Sequence, residues 1–246
     1  MAIRPLFTAF PLALVAAPVW AQTVTVSVGE GGSVAEYAVQ LLVLITLLSL
    51  VPGLAMMITC FPFMVTVLAI LRQGIGLQQS PPNMLIVSLA MFLTFFVMEP
   101  VFRDAWAVAG QPFSQGEIDA GEAVTRGLAP FEAFMLGRVD SETLAGLQGL
   151  QMESSGRAPD VSNGEVGLPV LIPAFLLSEI ERAFQIGFLI FLPFLIIDLV
   201  VAAVLMSMGM MMVPPAIVSL PFKLAFFVVA DGWSLITGAL VRGYLN

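Results

Sequence analysis

Ile197-Asp198-Leu199-Val200-Val201-Ala202, Met206-Ser207-Met208-Gly209-Met210-Met211-Met212-Val213-Pro214-Pro215 and Leu220-Pro221-Phe222-Lys223-Leu224 lie in one apolar stretch that sets the architecture. From Ala183 to Val213 the only charge is Asp198, and from Pro214 to Val241 the only charges are Lys223 and Asp231. Two apolar arms therefore flank a cluster of methionines. An antiparallel hairpin turning at Met210-Met211 sets Asp198 level with Lys223 and Glu179 level with Arg242, and both pairs are of opposite charge. A charge near the centre of a bilayer costs roughly 2.5 to 3.5 kcal/mol on insertion scales, so such residues face a partner or a watery path.

Composition agrees with that reading. Of 246 residues, 59% are hydrophobic and 11% charged, and the mean hydropathy is +1.00, values expected of an all-α, multipass helical membrane protein. With no histidine and one cysteine, Cys60, the chain lacks the usual ligand sets for zinc, haem or an iron–sulfur cluster, and no metal or other cofactor is expected. Cys60 sits in an apolar run, the setting of an inert buried thiol. A net charge of −8 argues against nucleic acid as a partner. Nothing favours an enzyme. Ser178 lies beside Glu179 and Glu181, but without histidine or a nearby lysine base it reads as a helix-start cap with Glu181. No Gly-x-x-x-x-Gly-Lys-Ser/Thr loop is present to hold nucleotide phosphates.

The flanking sequence supplies the layout. Residues 1–21 read as a cleaved signal peptide, with Arg4 as n-region, Pro5 to Ala17 as h-region and Val19-Trp20-Ala21 as the cleavage end. A polar tail at 22–36 follows, on the periplasmic side, and closes on Ser33-Val34-Ala35-Glu36, a capping box that starts a helix near Val34. From Tyr37 to Leu71 no charge occurs, a run well beyond the ~20 residues of one span, and Pro52-Gly53 and Pro62 interrupt it. A kinked or broken helix is expected. Such breaks are tolerated at membrane depth only where protein or a water-filled cavity covers the freed backbone. Arg72 opens a cytoplasmic loop from Gln73 to Ser80, and Pro81-Pro82 starts a helix running to about Val101, so that 37–102 forms a first hairpin.

Residues 103–172 read as an acidic, outward-facing helical region. Ser114-Gln115-Gly116-Glu117 has the capping-box form and opens a short helix through Ala123 and Val124. Pro130 starts another, with Phe131, Phe134 and Met135 on one face, a stripe typical of core or subunit packing. The tract from Ser154 to Gly167, rich in Ser, Gly, Pro and acids, reads as a mobile loop. Residues 173–246 form the second hairpin with its methionine-rich loop.

Pro173-Ala174-Phe175-Leu176-Leu177-Ser178-Glu179-Ile180-Glu181-Arg182-Ala183-Phe184-Gln185-Ile186-Gly187-Phe188, with the stretches quoted at the outset and Asp231-Gly232-Trp233, resembles the signature of the FliP family of flagellar export-gate proteins. The resemblance covers most of the chain beyond residue 21, apart from the loop at 154–167. It implies a core channel subunit of the flagellar type III protein export gate, which conducts unfolded flagellar proteins across the bacterial inner membrane at the flagellar basal body. It also implies a homo-oligomer, a pentamer, assembled with FliQ and FliR and working with other export proteins such as FlhA and FlhB. Met210, Met211 and Met212 match the loop that gaskets the pore in that family, flanked by Met206, Met208 and Gly209. On the residues alone, these methionines suit a re-packing seal and the filling of a helix turn equally well.

Asp198, Lys223, Glu179, Arg242 and Asp231 are the charges expected to act in assembly or gating. The pairs could close within one subunit or between neighbours. Asp231 falls level with Ile190, so its partner is expected on another subunit. Two other functions compete: the similar subunit of a virulence injectisome, which a cleavable signal peptide disfavours, and a small ion or solute transporter using Asp198, Lys223 and Asp231 as a relay. The missing histidine and the absence of an evident internal repeat speak against the transporter.

Overall fold

The computed structural model describes residues 34–77, 81–155 and 166–245. The signal peptide, the polar tail with Ser33 and the side chain of Glu36, and residues 156–165 of the Ser/Gly/Pro-rich tract lie outside them. The described chain is helical: α1 Val34–Met57, α2 Phe61–Ile75, α3 Asn83–Ala105, a π-helical turn Trp106–Gly110, α4 Gln111–Ser114, α5 Ala120–Leu136, α6 Ser141–Ser155, α7 Leu168–Ser207, α8 Pro215–Val229 and α9 Gly232–Leu245. Among the described residues, those up to Thr46 belong to one compact unit and those from Leu47 onward to another. In the first, α1 begins at Val34 as expected, and its side chains from Val39 to Ile45 that are large and apolar are exposed.

The second unit is organised around α2. At 15 residues this helix is too short to span a hydrocarbon core of about 30 Å, yet it is the most buried element. Met64, Val67, Leu68 and Leu71 are fully buried, and Cys60, immediately before the helix, is buried with them. Ile86, Ala90, Leu93, Val97 and Met98 of α3, Ala183 and Phe194 of α7, Phe227 of α8, and Ile236 and Leu240 of α9 complete the core. The buried face of α2 carries Phe63, Met64, Val67, Leu68, Leu71 and Ile75 at helical spacing, while Thr66, Arg72 and Gln73 stay off it.

Among the described residues, three helical segments are long and apolar enough to cross a membrane: Tyr37–Met57, Asn83–Ser114 and Leu168–Ser207. The pair α8 and α9, bent by 61°, makes a fourth if counted as one span. The fold is thus all-α and multipass. Phe92, Phe95 and Phe96 of α3 and Leu189, Ile196, Leu199 and Val200 of α7 are exposed, so lipid or other protein must cover them.

Several local expectations are corrected. The helix continues through Pro52-Gly53, and the break comes at residues 58–60, where Pro62 takes the first turn of α2 and needs no amide donor. α2 runs past Arg72 to Ile75 and stops at Gly76, whose φ of 89° suits only glycine without strain. α3 passes Val101 and reaches Ser114 through the π turn. Ser114 does not open a helix: it ends α4, its hydroxyl donating to the Gln111 carbonyl at 2.7 Å. The cap belongs to Asp119, whose carboxylate accepts from the Glu122 amide at 2.8 Å. Pro130 does not start a helix either but lies inside α5, while Met135 is buried and Phe131 and Phe134 pack against the core on its expected face. α6 was not anticipated. Its cap is Asp140, whose carboxylate accepts from the amide and hydroxyl of Thr143, interactions that hold its carboxyl below the usual carboxylate range.

α2 and α7 pack closely because Gly187 has no side chain. A Cβ there would stand 2.4 Å from Ile70 Cδ1 and 3.1 Å from Ile70 Cγ2. Overpacking of this kind typically costs about 1–3 kcal/mol. Gly187→Ala is expected to lower the thermal unfolding midpoint of the detergent-solubilised protein, and adding Ile70→Ala, which removes both atoms, should recover part of the loss. An unchanged midpoint in the single variant would show that the helices do not depend on this approach.

Candidate functional site

Asp198 lies on α7 and Lys223 on α8, and the two meet within this chain. Lys223 Nζ donates to Asp198 Oδ2 at 2.6 Å and to the Gly74 carbonyl at 3.1 Å. Ser219, one turn before Lys223 on the same face of α8, donates its hydroxyl to Asp198 Oδ1 at 2.5 Å. Ser219 is fully buried and Lys223 almost so, while the Asp198 side chain is 32% exposed. The Gly74 carbonyl belongs to the last turn of α2, so its partial negative charge adds to that of Asp198 around the ammonium. One lysine thereby ties α2, α7 and α8 together.

A second polar centre surrounds Glu179 on α7, which is 0% exposed. Its partner is not Arg242. Arg138, in the turn after α5, approaches Oε1 at 3.4 Å through Nε, Arg182 approaches the same oxygen at 3.2 Å, and the Tyr244 hydroxyl donates to Oε2. Arg138 also donates to the Gly243 carbonyl at 2.9 Å and lies 4.0 Å above the Tyr244 ring, while Arg182 donates to the Arg138 carbonyl at 3.3 Å. Two cations and a phenol thus share one buried carboxylate, an arrangement that offsets its desolvation. Arg242 lies exposed instead. The reason is the break between α8 and α9: Lys223 keeps the register with Asp198, but beyond the break Glu179 meets Tyr244, two positions past Arg242.

Ser178 and Glu181 do not cap a helix start, since both lie inside α7, which begins at Leu168. Ser178 instead donates to the Ala174 carbonyl at 2.8 Å and accepts from the Asp140 amide at 2.9 Å, anchoring the turn between α5 and α6. Glu181 accepts from the Gln185 side chain at 3.1 Å. The acidic region is therefore docked onto α7 through Arg138, Asp140 and the ring of Phe134, which packs edge-on to Phe175 and is stacked on Tyr244. Asp231 occupies the bend between α8 and α9 with a positive φ of 48°.

The methionines end α7 by a defined mechanism. Gly209 has φ 75°, its amide donates to the Met206 carbonyl at 3.0 Å, and the Met210 amide reaches back to Leu205 at 2.9 Å. These are the two bonds of a Schellman motif, and Gly209 is the residue whose conformation permits it. Pro214 and Pro215 then open α8. The turn leaves Met211 83% and Met212 97% exposed, with Met206, Met208 and Met210 exposed beside them. Among the described residues no group of histidine, cysteine, aspartate and glutamate could hold a metal ion.

Arg138, Tyr244, Ser219 and Gly74 were missed from sequence. The i, i+4 spacing of Ser219 and Lys223 could have revealed the serine, whereas Arg138 is distant in sequence from everything it binds.

Comparison with known proteins identifies the chain's relatives. The model of the FliP family matches residues 44–240. "Flagellar biosynthetic protein FliP" of Caulobacter vibrioides is 46% identical over 244 residues, covering 99% of this chain and 90% of the relative. The proteins of the same name from Agrobacterium fabrum and Aquifex aeolicus are 46% and 44% identical, covering 87% and 90% of this chain and 86% and 91% of theirs. With the model match running from within α1 into α9 and spanning Glu179, Asp198, Lys223 and the methionine turn, the chain belongs to the FliP family.

Proposed function

We propose that this chain is a core channel subunit of the flagellar type III protein export gate, needed for flagellum assembly, and that unfolded flagellar proteins pass its methionine turn on their way across the inner membrane. The observation that carries this reading is the exposure of Met210, Met211 and Met212 at the tip of a hairpin whose arms are locked by a buried ion pair. Thioether side chains are apolar, unbranched and deformable. A ring of them can close on itself and re-pack around a chain of any sequence. Hydrophobic constrictions also hold back water and ions.

One copy has too few methionines to close a ring, and the exposed apolar faces of α3 and α7 need cover. A homo-oligomer, a pentamer in this reading, supplies both, with FliQ and FliR completing the gate and FlhA and FlhB acting beside it at the basal body. The layout is a signal peptide at 1–21, a periplasmic tail at 22–36, hairpins at 37–102 and 173–246, and between them the acidic region 103–172 on the periplasmic side. The ion pair sets the hairpin, and the gate needs no catalytic residue. Energy comes from partner proteins.

Two outcomes test this reading. Replacing Met210, Met211 and Met212 together with alanine is expected to let ions leak across the inner membrane while flagellin export continues; normal export without leakage would reduce the methionines to packing. The ion pair should respond asymmetrically. Asp198→Asn strands a buried ammonium, an effect on the order of 3 kcal/mol or more. Lys223→Met leaves a carboxylate that is 32% exposed and able to rehydrate, so it should cost less. Immunoblots of membrane-associated protein and swimming-halo diameters are expected to rank wild type above Lys223→Met above Asp198→Asn, and equal behaviour of Asp198→Asn and wild type would contradict the role given to the pair.

A further inference from the structure

Asp231 is the one non-glycine residue among those described with a positive φ, 48°. It stands where α8 ends and α9 begins, and the two helices diverge there by 61°. Its amide donates to the Val228 carbonyl at 3.1 Å, closing α8, and its carbonyl accepts from the Leu235 amide at 3.0 Å, opening α9. Aspartate and asparagine tolerate this left-handed conformation better than other residues with a Cβ, and glycine adopts it freely. The next residue supports the bend: a Cβ on Gly232 would lie 2.2 Å from the Phe227 ring, which packs into that space and edge-on against Trp233 at 5.4 Å.

The bend has a geometric effect at the far end of α9. On α7, Asp198 and Glu179 are the fixed points against which the α8–α9 arm is read. Lys223 meets the first in the register of a straight hairpin, and Tyr244 meets the second two residues late. An uninterrupted arm would bring Arg242 to Glu179 and displace Tyr244 and the Gly243 carbonyl from Arg138.

We propose that Asp231 is a positioning residue whose left-handed backbone, rather than its charge, sets the bend between α8 and α9 and thereby selects Tyr244 over Arg242 as the partner of Glu179. The export readout below rests on the function proposed above, whereas the accumulation readout does not.

Full-length Asp231→Gly, Asp231→Asn, Asp231→Ala and Asp231→Val are expressed in cells lacking the native chain, each with and without Tyr244→Phe. Membrane accumulation is read by immunoblot and flagellin export by secreted protein. The glycine and asparagine variants are expected within about twofold of wild type in both readouts, and alanine and valine reduced at least about fivefold, since both disfavour the left-handed region. Tyr244→Phe should lower wild type and Asp231→Gly alike but add little to Asp231→Ala, in which the hydroxyl has already lost Glu179. Loss of accumulation in alanine and valine with glycine and asparagine retained supports the proposal as well. Loss in asparagine and glycine together would show that the charge matters and overturn it, as would wild-type levels in all four or a Tyr244→Phe effect that simply adds to that of Asp231→Ala. Failure of even the wild-type chain to restore export, with the accumulation ranking intact, would count against the function and leave the positioning role standing.

Discussion

The Lys223 ammonium is the point on which the hairpin depends. It is nearly excluded from solvent, and it is held from two sides, by the Asp198 carboxylate at 2.6 Å and by the Gly74 carbonyl at 3.1 Å. Three helices that are joined mainly by non-directional apolar contacts are fixed in register at that atom, with the Ser219 hydroxyl adding a second polar tie between α8 and α7. Apolar packing alone would tolerate sliding of α8 along α7, because almost any side chain in either arm could substitute for its neighbour. A buried ion pair does not tolerate it. Moving either arm by one turn would leave the buried Lys223 ammonium without its carboxylate, at a cost of several kcal/mol.

The rest of the molecule is arranged about that fixed register. α7 is 40 residues long, about 60 Å at the rise of an α-helix, and carries both polar centres on one continuous rod. The Asp198 centre lies towards the methionine turn and the Glu179 centre towards the acidic region. The first holds the arms that present the methionines, and the second fastens the turn between α5 and α6, through Arg138 and Asp140, to α7 and to the end of α9. α2 is the wedge between them, short, fully apolar on its buried face and admitted close to α7 by Gly187. The exposed methionines are therefore the tip of a rigid frame. Compliance sits in the thioether side chains, whereas the backbone leading to them is fixed by a Schellman motif, two prolines and an ion pair.

Much of this frame was legible in the sequence, for physical reasons. Asp198 and Lys223 stand out because a charge in an apolar arm requires a partner, and equal distances from Met210-Met211 named it. The turn itself was placed at Met210-Met211, whereas the roles of Gly209 in ending α7 and of Pro214 and Pro215 in opening α8 were seen only in the structure. Glu179 was correctly marked as needing a cation but was assigned Arg242, because a straight hairpin has no way to register the break at Asp231. Arg138 left no signal, since an arginine in an acidic region looks solvated until the tertiary fold brings it to Glu179. The central place of α2 was also hidden. Its residues as far as Leu71 fall in one long uncharged run that begins at Tyr37, in which the helix has no separate start until the break at 58–60 is seen. Local capping was misread where two acceptable caps competed: Ser114-Gln115-Gly116-Glu117 and Asp119-Ala120-Gly121-Glu122 both satisfy the pattern, and the chain uses the second.

In the proposed function, exported protein passes the methionine turn. Its most direct test is to place a photo-crosslinking amino acid at Met211, and separately at the exposed lipid- or protein-facing residue Leu199 of α7, in cells exporting a flagellin fused to a domain that resists unfolding and stalls in transit. The account predicts a light-dependent adduct between position 211 and the stalled flagellin, with none from position 199. Adducts of equal yield from both positions, or none from position 211 while the substrate is stalled, would contradict it.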